Sequence, residues 1–152
     1  EKSINVNALS KLKILKIFKR NVLKDKDKIS TKEIWINTSE AEILPALNPS
    51  YEISKSLIGQ LITAQKNFLS ADDRQKLKIR KIIIGPFKSK LNPIGIMNPE
   101  LVALLIYYIS KINVNLIIIT PNPISYILFP LREFYYFIYY GFLKLLKKNS
   151  SN

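Results

Sequence analysis

An α/β domain with a mixed sheet and packed helices is what this sequence predicts, and three observations predict it. Apolar residues make up 47% of 152 positions, enough to fill the core of a single domain. Residues 79–84 and 114–119 are β-branched runs with turn signals beside them. Between them, Asn98-Pro99-Glu100 is a strong helix start: an Asn cap, Pro at the first helical position and an acid in the first turn. Strand, helix and strand in that order read as a βαβ unit near residues 79–119, with a right-handed crossover.

In chain order, residues 5–28 read as a short helix or turn, then a strand, then a basic turn. Ile14, Leu15, Ile17 and Phe18 form the β-prone run, and Lys11, Lys13, Lys16, Lys19, Arg20 and Lys24 surround it. Such a run would hold its cations in a fixed row; the blander reading is a solvated basic face. Residues 33–36 suit a short strand, and Pro45, Asn48, Pro49 and Ser50 mark a loop. Ile53, Leu57, Ile58, Leu61, Ile62, Phe68 and Leu69 recur at helical spacing, which predicts a helix over 53–69. Ser70-Ala71-Asp72-Asp73 stops it or caps the next turn. Acids gather between Glu33 and Asp73, so this least basic stretch is expected to face solvent or protein. Gly85-Pro86 ends the strand at 79–84. Leu101, Leu104, Leu105, Tyr108 and Ile109 trace the face by which the next helix packs on the sheet. A last helix spans 131–147. Leu131, Phe134, Tyr135, Ile138, Phe142 and Leu145 form its stripe towards the domain's own sheet, which leaves Tyr136, Tyr139 and Tyr140 for a docking partner.

Charge narrows the function. The net charge is +13, with no His and no Cys. A chain this basic suits an anionic partner, polyphosphate above all. Without Cys there is no disulfide framework, thiolate nucleophile or zinc cluster; without His there is no imidazole base or Ser-His-Asp triad. No Gly-rich phosphate loop is present, and Asp72-Asp73 reads as a cap or a solvated pair. The expectation is therefore a binding protein and not an enzyme, with no catalytic residue, metal, cofactor or small-molecule substrate. The longest uncharged run, 112–131, carries Pro121, Pro123, Pro130, Asn113, Asn115 and Asn122, which argues against a membrane-spanning helix. The preference for Ile, Lys, Asn and Tyr suggests an AT-rich genome, as in many organelles. Opening at Glu1, not Met, leaves room for an upstream piece.

Three segments in shared order resemble the large-subunit ribosomal protein at the base of the stalk, number ten in the universal scheme. KLKILKIFKRNVLK (11–24) is similar to that family's basic helix end and following strand, with Phe18, Arg20, Asn21 and Leu23 in similar order. IIIGPF (82–87) and NPELVALLIYYISKINVNLIII (98–119) resemble its strand ending in Gly-Pro, its helix start and its next strand. FPLREFYYFIYYGFL (129–143) looks like its Leu-Pro-Ser-Arg-Glu-Glu-Leu helix, with Pro130, Arg132, Glu133 and Gly141 at the family spacing.

The resemblance implies one stalk-base-like domain over 1–152, with 25–78 an insertion or long connection. It implies that Lys11, Lys13, Lys16, Lys19, Arg20, Asn21 and Lys24 bind large-subunit rRNA, largely by its phosphates and shape. Neighbouring ribosomal proteins, including the partner numbered eleven, would cover Tyr136, Tyr139 and Tyr140, and the assembly would support docking of translational GTPases. The family's helix that recruits acidic stalk proteins has little counterpart before Asn152. The setting would be the mitochondrial matrix ribosome, or another organelle with an AT-rich genome. Two alternatives stay open: another organellar ribosomal RNA-binding protein, such as the partner numbered eleven, or a basic structural subunit of an organellar membrane complex.

Overall fold

The computed structural model describes residues 2–25, 30–90 and 92–149. Strands β1 (Lys32–Ser39), β2 (Leu77–Ile84) and β3 (Leu116–Ile119) lie in the order β1-β2-β3, and both pairings are parallel. The α/β class expected from the sequence is what forms. Where a mixed sheet was expected, every described strand runs the same way, because each connection contains a helix and parallel neighbours need such a crossover. Helices α3 (Pro49–Asn67) and α4 (Ala71–Lys76) join β1 to β2, and α5 (Pro99–Ser110) joins β2 to β3. Residues 25–78, an insertion in the ribosomal comparison, thus supply an edge strand and a core helix.

The chain starts as α1 (Lys2–Ile4), passes through a π-helical turn at Asn5–Leu9 and continues as α2 (Ser10–Lys24). A strand was expected within this stretch, and a helix stands there. Leu12, Leu15, Phe18 and Val22 recur every three or four residues and pack on the core, while Ile14 and Ile17 point outwards. Burying that helical stripe outweighs the β preference of two exposed isoleucines. The basic turn expected after it lies partly outside the described residues.

Side chains alternate across the sheet. Leu77, Ile79 and Ile36 face α2 and α3, where they meet Ala8, Leu15, Ile58 and Ile62. Ile82, Ile117 and Ile119 face α5, where they meet Val102, Ile106 and Ile109. The two connecting helices therefore cover opposite faces. Both connections step along the sheet in the same direction, so only one of them takes the usual right-handed crossover. On α5 the packing face differs from the expected stripe: Leu101, Leu104, Leu105 and Tyr108 are exposed. A helix apolar nearly all round carries no periodicity from which to choose its face.

Local signals hold better. Asn98 and Asn48 each accept a bond from the backbone of the third residue on, at 3.0 and 3.2 Å, and Pro follows both caps. Ser70 and Asp73 form a reciprocal capping box, which uses Asp73 as the sequence suggested. The last helix, α6 (Ser125–Asn149), starts before the expected 131 and tolerates Pro130 within it.

The orientation of α2 is testable by urea unfolding. Leu15→Ala should lose about 2–5 kcal/mol of stability, whereas Ile17→Ala should stay within about 0.5 kcal/mol of the parent. In a strand the two would share a face, and similar losses at both would refute the helix.

Candidate functional site

The middle of β2 carries a cation where a buried strand would ordinarily carry an aliphatic residue. Lys81 is only 1% exposed, and its Nζ donates to Glu42 Oε1 at 2.5 Å, Glu133 Oε1 at 2.9 Å, Thr63 Oγ1 at 3.0 Å and the Gly59 carbonyl at 3.2 Å. Glu42 comes from the 3-10 turn Glu40–Glu42 that ends β1, and it also accepts from Thr38 Oγ1 and Arg132 Nη1. Glu133, on α6, also accepts from Thr63 at 2.6 Å and Lys66 at 2.7 Å. Gly59 makes the approach feasible, because a Cβ there would lie 1.9 Å from the Glu42 carboxyl carbon. One ammonium thus ties β2, the end of β1, α3 and α6 together.

The electrostatics make this a brace. Burial pushes the Glu133 carboxyl up, but the Lys81 and Lys66 charges, with hydrogen bonds from Lys66 and Thr63, overcome it and hold the group down to about 2. A carboxylate held ionised so firmly is a poor proton acceptor at neutral pH. Beside it opens a cleft of about 320 Å³ lined by Lys66, Arg74, Lys78, Asn115, Glu133 and Phe137. On the other face of the sheet, Glu33 receives both Nε and Nη2 of Arg80, at 2.8 and 2.9 Å, and the Trp35 indole N–H at 2.8 Å. Near the C-terminal end of the sheet, Glu40 accepts from Thr120 and Ser125 hydroxyls. Of the acids in the segment expected to face solvent or protein, Glu40 and Glu42 turn to groups of this chain.

The residues singled out from the sequence fall in two places. Lys13, Lys16 and Arg20 share the outer side of α2 with Leu9 and Ile17, around a shallow groove whose inner wall is Leu12. Lys24 continues that side, and Asn21 is exposed beside it. Lys11 and Lys19 turn inwards: Lys11 Nζ donates to the Asn37 carbonyl at 2.9 Å, and Lys19 Nζ reaches Gln65 Oε1 at 3.5 Å. A helix distributes these cations around its axis, so the fixed row expected from a strand does not form.

The stripes of α6 are exchanged relative to expectation. Leu131, Phe134, Tyr135, Ile138, Phe142 and Leu145 are exposed, whereas Phe129 is buried and Arg132, Glu133, Tyr136, Tyr140 and Lys144 turn towards the protein. Tyr140 meets Phe68 edge to face at 5.1 Å and stacks on Tyr136 at 5.8 Å; Tyr139 stacks on the exposed Tyr135 at 6.3 Å. Lys144 Nζ donates to the Asn67 carbonyl. Periodicity identified the stripe; the ion pairs of Arg132 and Glu133 decide which side faces in.

Glu42, Lys81, Thr63 and Gly59 were not foreseen. The signal was Arg80-Lys81 in the middle of an apolar strand, since buried charges in such a place imply partners.

Against this geometry, the comparisons with known proteins are decisive for one question. No family model matches the chain. A curated relative, the monoglucosyldiacylglycerol epimerase of Synechocystis sp., is 42% identical over 140 residues, covering 92% of this chain. The chain spans about a third of that relative's length, 32%.

That finding overturns the ribosomal reading. The relative is a cyanobacterial enzyme whose name specifies a lipid substrate, so the stalk-base family, its rRNA and protein partners (number eleven and the acidic stalk proteins included), the mitochondrial setting and both alternatives fall. The expectations of a non-enzyme without a small-molecule substrate fall with them. The physical reason is visible in the fold. A strand ending in Gly-Pro, an Asn-Pro helix start and a Pro-Arg-Glu helix are local features that many α/β chains share. The basic segment at 11–24, matched to a helix end and the strand that follows it, is helix throughout.

Two measurements examine the brace. The Glu133 carboxyl titrates below its ordinary 4.5, near 2, when folded, so its contribution is complete above about pH 4.5 and is lost as pH falls through about 2. Linkage makes this on the order of 3 kcal/mol, and urea midpoints between pH 5 and 2 should fall less steeply in Glu133→Gln than in the parent. An equal slope would show that the depression is not at Glu133. Separately, Gly59→Ala should destabilise by about 1–3 kcal/mol in the same assay; a neutral result would mean that Glu42 does not pack against it.

Proposed function

We propose that this chain serves the epimerisation of a sugar head group on a diacylglycerol lipid, as a domain resting on the lipid surface. The observation that carries the reading is the 42% identity across nearly the whole chain to an epimerase of that kind. The form of α6 supports the second half. Its 25 residues extend for about 37 Å, with Arg132, Glu133 and Lys144 turned inwards and Leu, Ile, Phe and Tyr turned outwards. An outward apolar stripe needs an apolar cover, and a lipid substrate places a bilayer at hand. Among the described residues no helix is long and apolar enough to cross a membrane, so the contact proposed lies along the surface, with tyrosines at the depth where they are favoured. A net charge of +13 complements anionic lipid.

The division of labour follows from the braced acids. Epimerisation inverts one carbon of the sugar, so a C–H bond is broken on one face and remade on the other. Glu133 is held ionised by its partners, and both Glu42 oxygens already accept hydrogen bonds. The role proposed for this domain is therefore to place and orient the glycolipid.

Two experiments test this. Removing the chain from its host should raise monoglucosyldiacylglycerol relative to its epimer, and an unchanged lipid profile would overturn the reading. The purified chain should float with vesicles containing monoglucosyldiacylglycerol and anionic lipid. Phe134→Glu with Ile138→Glu should weaken that binding at least about tenfold; flotation unaffected by the pair would remove α6 from the lipid contact.

A further inference from the structure

The N-terminal helix and α3 meet along a polar seam. Ser3, Asn7 and Lys11 follow one another at four-residue spacing, the middle one within the π-helical turn, and face Ser54 and Lys55 of α3. Asn7 Nδ2 donates to both Ser3 Oγ and Ser54 Oγ at 3.2 Å, and Ser54 Oγ donates to the Tyr51 carbonyl at 2.7 Å. These neutral groups satisfy one another. Lys55 is different. It is only 7% exposed, its ammonium sits 5.2 Å from the Tyr51 ring centroid, and it finds no acceptor among the described residues. Every described buried polar side-chain atom has a partner, so the Lys55 tip must open towards solvent.

Its neighbour is another cation. The Lys11 and Lys55 charges act on each other across the seam, and Lys11 also holds the Asn37 carbonyl and Oδ1 at the end of edge strand β1. The nearest opposing charge, Glu42, is occupied by Thr38, Lys81 and Arg132. Burial first, and then the charge of Lys11, bring the Lys55 ammonium down to about 8. Two adjoining ammoniums without a shared counter-ion are unfavourable, and an oxyanion between them removes the conflict.

We propose that Lys11 and Lys55 form a binding site for a phosphate-type oxyanion, at the mouth of the seam between the N-terminal helix and α3. Lysines act here as two point charges on one anion, with no guanidinium fork to demand a planar carboxylate. The anion is either a free phosphate or the phosphate of a lipid head group, which share this chemistry. The site lies apart from the apolar stripe of α6 and does not rest on the epimerase reading.

The test is thermal unfolding of the full chain in inorganic phosphate against chloride of equal ionic strength, with Lys55→Met, Lys55→Gln and the parent. Phosphate should raise the parent's Tm by about 2 °C or more. Both variants should lose that shift while remaining at least as stable as the parent in chloride, since each removes an ammonium that meets another cation and no acceptor. In a second arm, vesicles of phosphatidic acid in phosphatidylcholine replace phosphate, and binding is compared between parent and Lys55→Gln. A loss of about tenfold confined to the vesicle arm assigns the anion to lipid; a loss in the phosphate arm assigns it to a free ligand. Equal responses of parent and variants in both arms would overturn the site.

Discussion

Placing the ammonium of Lys81 inside a parallel sheet sets a condition that the surrounding elements must meet. An unpaired charge there would cost several kcal/mol even after relaxation. The turn after β1 brings Glu42, α3 brings Thr63 and a bare carbonyl at Gly59, and α6 brings Glu133. Each partner is itself held by others, so the network loses little entropy on forming. Removing one member would leave a buried charge short of one of its partners, a larger loss than the pair's own net worth.

The brace also explains the molecule's surface. Because Arg132 and Glu133 must turn inwards, the phase of α6 is set, and its apolar side chains at 131, 134, 138, 142 and 145 are carried outwards. The same trade appears, more weakly, at β1. Lys11 occupies the Asn37 carbonyl of an edge strand whose open polar groups would otherwise invite another strand. Pairing Lys11 with that edge is what brings its ammonium beside Lys55. Interior charge satisfaction, exterior apolarity and a local excess of cations are consequences of one arrangement.

The likeness to a ribosomal family shows how far local pattern can carry a wrong identity. Gly-Pro after a strand, Asn-Pro before a helix and Arg-Glu inside one are solutions to stopping, capping and pairing, and unrelated α/β chains reach them independently. In this fold Arg132 and Glu133 serve an internal ion network. The cations of α2 are spread around a helix, and two of the six, Lys11 and Lys19, are bound to the protein itself. The 42% identity over 140 residues rests on the whole run of the chain, which such local patterns cannot imitate.

By itself the sequence determined whatever a chain settles within a turn or two: the caps at Asn98 and Ser70, the strand stopped at Gly85, the existence of the helix expected over 53–69 and found at Pro49–Asn67, and the α/β class they compose. Capping and periodicity act between residues three or four apart, so they are legible in one dimension. Which face of α5 or α6 is buried, and whether 14–18 is strand or helix, only the tertiary structure decided. Those choices depend on partners far along the chain: Lys81 finds Glu42 across 39 residues and Glu133 across 52, and Arg132 reaches Glu42 across 90. A charge buried in a sheet outweighs the exposure of several apolar side chains, and its partners exist only once the fold has brought them together.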